Sequence, residues 1–172
     1  NEKTIAYVRA CVKETLLTYP QITGIGVTSG EDDRRELDGT ADSTENYIFK
    51  TYGRGIMDAQ ADPRWKDRPV RFIFRRHGTE YAWARDAMAQ YTGGVINTST
   101  KYSVAHMYSS RRPTEWERRI VGDGWLNTHK SWLNLRNDDL FMHRFGSPDY
   151  ARQFIANMPH EHIVGFYMGS DG

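Results

Sequence analysis

The sequence lacks several features that would assign it to a familiar class of proteins. Its one cysteine, Cys11, cannot form a disulfide within the chain, and many secreted bacterial proteins also have none, so the compartment stays open. No apolar run approaches the roughly 18 residues of a membrane-spanning helix. The 23 basic and 22 acidic residues leave a net charge of +1, which favours neither nucleic acid nor an anionic membrane. We therefore expect neither as a partner.

Several motifs of catalysis and ligand binding are missing as well. The chain contains no Gly-x-Ser-x-Gly nucleophile elbow, no glycine-rich phosphate loop and no His-Glu-x-x-His zinc motif. Most of the six histidines are scattered, and His160-Glu161-His162 precedes an apolar segment, where a surface turn is the better interpretation. We expect no metal and no cofactor.

The chain does contain a regular alternation of helical and extended patterns. With 172 residues, 38% hydrophobic and 26% charged, it can form one folded domain. Strands that alternate with helices predict a parallel α/β sheet, and we expect the strands to be adjacent in chain order. The predicted strands are Ile22–Thr28, Val70–Phe74, Thr98–Tyr102, Trp132–Arg136 and Ile163–Met168. The predicted helices span residues 4–18, 44–61, 80–91, 113–120 and 147–158.

Polar and ionisable residues follow each predicted strand. Because the carboxyl ends of parallel strands meet at one edge of a sheet, these residues predict a functional cluster. The alternative is that polar residues only mark where strands end. The clusters are Ser29-Gly30-Glu31, Arg75-Arg76-His77, His106, Asn137-Asp138-Asp139 and Ser170-Asp171.

Four carboxylates in these clusters are candidates for catalysis: Glu31, Asp138, Asp139 and Asp171. Glycoside hydrolysis needs one protonated carboxyl group as acid and one ionised carboxylate as base or nucleophile. Asp138 and Asp139 are neighbours, so on an extended backbone only one of them faces a cleft. Helix capping or ion pairing is the structural alternative for each.

Other residues in or near the clusters suit the binding of a sugar. Cationic side chains can hold an anionic group, and arginine can grip a carboxylate with two hydrogen bonds. Aromatic rings suit sugar faces and equally suit a packed core, and the cations can equally be surface charges or partners in ion pairs. The candidates are Arg76, His77, Lys101, Tyr102, His106 and Arg136, with Trp132 and Tyr167 as further aromatic residues.

The tripeptide Arg76-His77-Gly78 follows a hydrophobic strand. Histidine phosphatases carry their nucleophilic histidine in an Arg-His-Gly motif at such a position. That motif normally lies on the first strand of its domain. Here two helices and a strand are predicted before it, and 94 residues follow, which leaves little room for the other phosphate-binding residues. Phosphoryl transfer through His77 is therefore the alternative function.

Several segments, taken together and in order, resemble large bacterial proteins similar to α-glucuronidases, which are glycoside hydrolases on a (β/α)₈ barrel. In those relatives the segment that matches FIFRRH lacks the glycine, which favours a sugar cleft around His77. The resembling segments are residues 18–32, 49–59, 70–77, 100–110, 133–159 and 165–172.

The resemblance implies that the predicted strands are the fourth to the eighth of a barrel. By position, Glu31 after the fourth strand would be the acid, and Asp138 or Asp139 after the seventh would be the second carboxylate. The sequence begins without a methionine and stops directly after a strand, so we expect residues 1–172 to be the C-terminal part of a barrel catalytic domain, a single fragment of a longer protein.

The resulting expectation is an α/β fold, a partial (β/α)₈ TIM barrel of about five parallel strands with flanking helices. The expected function is a glycosidase that cleaves a plant or algal polysaccharide, with a carbohydrate as substrate, in the bacterial periplasm or outside the cell. A barrel that binds carbohydrate without catalysis is a further alternative.

Overall fold

The computed structural model describes residues 1–28, 44–76, 81–102, 129–137 and 148–170. These residues form an α/β fold with five parallel strands in one sheet, flanked by helices. The strands lie in the order in which they occur along the chain, which confirms the predicted parallel, adjacent arrangement. By its contacts the chain divides into two compact units, Asn1–Ile96 and Asn97–Gly172.

The elements of the first unit are mostly close to their predicted ranges. The helices are α1 (Glu2–Thr18), α2 (Thr44–Ile48), α3 (Arg54–Gln60) and α4 (Tyr81–Met88), with a π-helical turn at Phe49–Gly53 between α2 and α3. The strands are β1 (Gly24–Thr28), β2 (Arg71–Arg76) and the start of β3 (Ile96–Tyr102).

The second unit contains the rest of β3 and the last two strands. Predicted helix 113–120 lies outside the described residues. The elements are β4 (Ser131–Asn137), α5 (Pro148–Ala156), a 3₁₀ turn at His160–His162 and β5 (Ile163–Ser170).

Helix α1 buries one apolar stripe against α3. The Asn1 side chain caps its start by accepting a hydrogen bond from Lys3 N at 3.0 Å. Val12 and Leu16 are buried on the inner face. Gly55 of α3 lies directly against Val12, because a side chain at position 55 would meet Val12 Cβ at 2.7 Å. The two helices therefore approach each other at a point that admits no side chain from α3.

The predicted single helix over residues 44–61 is interrupted by the π-helical turn. Thr51 Oγ1 donates to Tyr47 O at 2.7 Å, which occupies a carbonyl of the preceding turn. Arg54 N then donates to Phe49 O, five residues back. Gly53 provides the room for this turn, since a Cβ there would lie 2.8 Å from Phe49 Cδ2.

Arg68 links the last turn of α1 to the segment before β1 by hydrogen bonds. Its guanidinium donates to Leu16 O at 2.7 Å and also to Ile22 O, and it lies 4.4 Å from the centroid of the Trp65 ring. The prediction that β1 begins at Ile22 is wrong by two residues. The Ile22 carbonyl accepts this hydrogen bond, and Ile22 N donates to Tyr19 O.

A chain of ion pairs joins α1 to the turn after α3. Asp62 contacts Lys13 at 2.8 Å and Arg64 at 2.9 Å, and Arg64 reaches Glu14 at 2.9 Å. The hydrogen bonds from Arg64 and Lys13 hold the pKa of the Asp62 carboxyl well below its usual range. Arg9 forms a bidentate salt bridge with the carboxylate of Asp58.

One face of β1 and β2 is covered by helices. Phe72 and Phe74 of β2 are fully buried, and the register pairs them with Ile25 and Val27 of β1. The Tyr91 ring packs on Phe72 at a centroid distance of 5.2 Å, and burial raises the pKa of its hydroxyl to about 12. The core of the first unit thus lies on this side of the sheet.

Candidate functional site

Of the ten predicted catalytic and binding residues, four lie in described strands: Arg76, Lys101, Tyr102 and Arg136. The others lie outside the described residues: Glu31, His77, His106, Asp138, Asp139 and Asp171.

In the first unit, β1 and β2 end side by side. The register pairs Thr28 with Arg75, so the segments that lead to Glu31 and to His77 start from neighbouring strand ends. Position 76 lies on the same face of β2 as Phe72 and Phe74. Arg75 lies on the other face, which it shares with Thr28 of β1. Arg75 was not singled out from the sequence. Its Nε is buried and finds no hydrogen-bond partner among the described residues.

In the second unit, the strand register gathers polar positions on one face of β3, β4 and β5. Lys101 pairs with Asn134, which pairs with Tyr167. The next position of β4 on the same face is Arg136, paired with Gly169. We call this face of β3–β5 the polar face. Its positions are Asn97, Ser99 and Lys101 of β3, Trp132, Asn134 and Arg136 of β4, and Gly165, Tyr167 and Gly169 of β5.

Lys101 and Arg136 therefore share a face, as a common binding role requires. Tyr102, predicted to bind the same substrate, pairs with Leu135 and lies on the opposite face. That face is apolar at its centre, where Leu133 is fully buried. Neighbours along a strand alternate between faces, so the structure separates Tyr102 from the two cations.

Trp132 lies in the middle of the polar face and rests against β5. Its register partner is Gly165, and a Cβ atom there would be 2.8 Å from Cζ3 and 3.2 Å from Cε3 of the indole. The absence of a side chain at Gly165 is thus what makes room for the ring. The indole Nε1 is buried and has no hydrogen-bond partner within the parts of the chain that are described.

Asn97 is a residue of the polar face that sequence reasoning missed. The residue is 4% exposed, and its Nδ2 donates to Lys130 O at 3.2 Å. Its Oδ1 is buried and accepts no hydrogen bond from any described residue. The pattern INTSTKY contains many polar residues, but without the register nothing distinguished Asn97 from its neighbours.

The carboxyl ends of β4 and β5 coincide. Asn137 pairs with Ser170, and these residues directly precede Asp138 and Asp171. Neighbouring strands are about 4.8 Å apart, so the chain leaves the sheet toward the two aspartates from points separated by about that distance.

Glu45 is a buried carboxylate of the first unit that was not singled out from the sequence. It lies in the first turn of α2 and is 3% exposed. The amino end of a helix favours negative charge, which accounts for a carboxylate at this place. Such residues are common in first turns, so its burial could not be predicted.

Metal binding and membrane spanning have no support in the described residues. There, no group of three His, Cys, Asp or Glu side chains could hold a metal ion. His160–His162 forms a 3₁₀ turn ahead of β5, in agreement with the predicted turn. Among the described helices, none has the length and apolar character that crossing a membrane requires.

Comparisons of the chain with protein-family models, with curated proteins and with solved structures found no match. Its function is therefore inferred from the residues and the fold.

Proposed function

We propose that the protein is a glycosidase, similar to α-glucuronidases, that cleaves a polysaccharide containing uronic acids. The observation that carries this proposal is the polar face, which brings the positions of Lys101 and Arg136 together beside two aromatic positions, Trp132 and Tyr167. Cations suit the carboxylate of a uronic acid, and aromatic rings suit the apolar face of a sugar.

Further support comes from the carboxylates that follow the strands next to this face in the sequence. Asp138 and Asp171 follow the paired residues Asn137 and Ser170. Asp138 and Asp171 are the pair of carboxylates that we propose for the second unit. Glu31, the acid implied by the resemblance, is tested separately.

A (β/α)₈ barrel is part of the same proposal. Its strands are parallel and adjacent in chain order, as the five strands here are. In a barrel one face of each strand is covered by helices and the other lines the interior. The fully buried Phe72 and Phe74 suit the first role, and the exposed Gly26 on the other face suits the second.

The first experiment measures release of uronic acid from glucuronoxylan by the complete protein. We expect Asp138→Asn and Asp171→Asn each to lower kcat by about two to four orders of magnitude. The matched control is Asp149→Asn, because Asp149 is an exposed carboxylate of α5 that pairs with Arg152. Equal activity of all three variants would contradict the proposed pair.

The second experiment tests Glu31 by varying the leaving group. A general acid matters most when the leaving group is a sugar hydroxyl and least when it is a nitrophenolate. Glu31→Gln should therefore lower turnover of glucuronoxylan by about 100-fold or more, and turnover of a nitrophenyl glucuronide much less. Equal losses on both substrates would remove Glu31 from the role of acid.

The third experiment tests recognition of the sugar carboxylate. Hydrogen bonds to charged groups contribute about 1.5–3 kcal/mol each, so Lys101→Met or Arg136→Met should reduce the preference for a nitrophenyl glucuronide over the matching glucoside by roughly 10–150-fold in kcat/KM. Lys130→Met is the control, since Lys130 is exposed and lies just before β4. An unchanged preference would show that the two cations do not bind the carboxylate.

The alternatives give different results in the same assays. A carbohydrate-binding protein without catalysis would bind the polysaccharide with no turnover, and Asp138→Asn would leave binding intact. A histidine phosphatase would form an acid-labile phosphohistidine at His77 with a phosphate monoester, which the glycosidase would not form.

A further inference from the structure

We propose that Asn97 and Trp132 bind one hydroxyl group of the carbohydrate, with Asn97 Oδ1 as acceptor and Trp132 Nε1 as donor. This inference rests on the proposed function and specifies a contact for its substrate. It adds a recognition site deeper on the polar face than the positions of Lys101 and Arg136.

The first support is that two buried polar atoms lack partners on the same face. Asn97 Oδ1 and Trp132 Nε1 are both closed to solvent, and neither has a hydrogen-bond partner among the described residues. A buried polar group that stays unpaired destabilises the fold, so such groups are rare and call for a ligand or another explanation.

The second support is their proximity in the register. Trp132 pairs with Ser99, and Asn97 lies two residues before Ser99 on the same strand and the same face. Asn97 and Trp132 are thus diagonal neighbours on adjacent strands, about 8 Å apart between Cα atoms by the strand rise and spacing. Side chains of this length can both reach a group placed between them.

The third support is the orientation of the indole. Its Cζ3 and Cε3 atoms lie toward Gly165 of β5, because a Cβ atom there would touch both. Nε1 is on the opposite edge of the indole and is not among the three atoms that lie closest to this position. Asn97 in turn is held in place by its hydrogen bond from Nδ2 to Lys130 O, which leaves Oδ1 as the free acceptor.

The chemistry of the two atoms suits a hydroxyl group, which donates and accepts at the same time. Nε1–H can only donate and the carbonyl oxygen Oδ1 can only accept. A carboxylate has no proton for Oδ1, and an ammonium group has no lone pair for Nε1–H. A hydroxyl group both donates and accepts, and sugars present several. Since both atoms are closed to solvent, the hydroxyl reaches them only when the side chains around this part of the face move.

The test observes the indole N–H of Trp132 directly in protein labelled with ¹⁵N-tryptophan. Trp132→Phe identifies its signal by removing it. On addition of methyl glucuronide, we expect the Trp132 signal to move downfield as its N–H donates to the sugar. A series of monodeoxy methyl glucuronides should contain one member that binds without moving this signal, and this series uses the unaltered protein, so the test does not depend on any variant folding.

Variants then measure the contribution to affinity for methyl glucuronide. Trp132→Phe keeps an aromatic ring without the N–H, and Asn97→Leu keeps the size without the acceptor, and each should weaken binding about 2- to 10-fold. Thr98→Val is the matched control. Thr98 is also buried, and its Oγ1 also lacks a partner among the described residues, but it lies on the opposite face. This control should change the affinity less than twofold.

The outcomes separate this inference from the proposed function. Sugar-induced shifts elsewhere with an unmoved Trp132 signal would overturn the hydroxyl site and leave the glycosidase proposal standing. The Trp132 N–H could also donate to a trapped water or to Asn97 Oδ1 before any sugar is added. If its signal shows such a hydrogen bond and does not move on addition of sugar, the proposed hydroxyl site is wrong. If no signal anywhere responds to methyl glucuronide, both proposals fail.

Discussion

Replacement of Gly55 by alanine tests the contact between α1 and α3. An added Cβ would lie 2.7 Å from Val12 Cβ, 2.8 Å from Val12 Cγ1 and 2.9 Å from the carbonyl oxygen of Arg9. Carbon atoms in contact normally stay about 3.5–4.0 Å apart, so α1 must move away by roughly 1 Å. The Arg9 oxygen belongs to the helix backbone and cannot rotate aside as a side chain would.

The expected cost follows from two opposing effects. Overpacking of a well-packed core destabilises proteins by about 1–3 kcal/mol, and a clash with backbone belongs in the upper part of that range. Alanine is better than glycine inside a helix by about 0.8–1.0 kcal/mol, which offsets part of this. We therefore expect Gly55→Ala to lower the free energy of unfolding by about 1–2 kcal/mol.

Urea unfolding followed by circular dichroism measures the change. The midpoint should fall while the slope stays the same, because the surface exposed on unfolding is unchanged. Gly26→Ala is the control, since its Cβ would meet nothing closer than Ile73 Cβ at 3.9 Å. It should leave the midpoint unchanged or raise it slightly.

A double variant assigns the cost to the contact. Val12→Ala removes one of the three atoms that crowd a residue 55 side chain, Val12 Cγ1, and frees α1 to approach differently, so in that background Gly55→Ala should cost less than it does alone. Equal or greater stability of Gly55→Ala relative to the unaltered protein would refute the close approach of the two helices.

Three further predictions concern polar groups of the first unit. Arg68→Ala, which removes a guanidinium bonded to two backbone carbonyls, should lower the unfolding free energy by about 1.5–3 kcal/mol in urea titrations, whereas Arg71→Ala at an exposed position should have little effect. Arg64 and its neighbours hold the pKa of Asp62 below its usual range, so Asp62 stabilises the fold fully above pH ~4. Its advantage over Asp62→Asn should be lost progressively as the pH falls from there through the lowered pKa of the folded state, and it should shrink in 1 M salt. Burial raises the pKa of Tyr91 to about 12, so stability present below pH ~10 should be lost as the pH rises through about 12, and Tyr91→Phe should abolish that part of the alkaline loss.

The sheet could be predicted from the sequence because its determinants are local and repetitive. In β2, Phe72 and Phe74 are fully buried and alternate with Arg71, Ile73 and Arg75, which are exposed or half-buried. The departures arise at local contacts that the pattern does not show. Gly53 gives room for the π-helical turn at Phe49–Gly53, because a Cβ there would lie 2.8 Å from Phe49 Cδ2. The hydrogen bonds between β1 and β2 begin with Arg71 N donating to Thr23 O, and the next donor toward Ile22 would be the N–H of residue 69, which is a proline and has none.

The candidate site was less predictable because it depends on pairing between distant strands. Lys101 and Arg136 could be proposed as cations near strand ends, but their shared face follows from the register of β3 with β4. The separation of Tyr102 from Lys101, in contrast, follows from the alternation of faces along β3 and could have been predicted from the sequence. The role of Gly165 could not be predicted at all, since it arises from the indole of Trp132 on the neighbouring strand.

The polar face of the second unit differs from the helix surfaces of the first unit in a way that bears on function. On the helices of the first unit the charges satisfy one another, as in the contacts of Arg9 with Asp58 and of Arg64 with Asp62. Such pairs account for the sequence without a ligand. On the polar face of the second unit, Asn97 and Trp132 keep buried atoms for which the described residues offer no partner. Stability alone would favour apolar residues there, because an unpaired buried group is unfavourable. Polar residues at such positions are explained when a bound group completes their hydrogen bonds, and for that reason the search for a ligand should begin on the polar face.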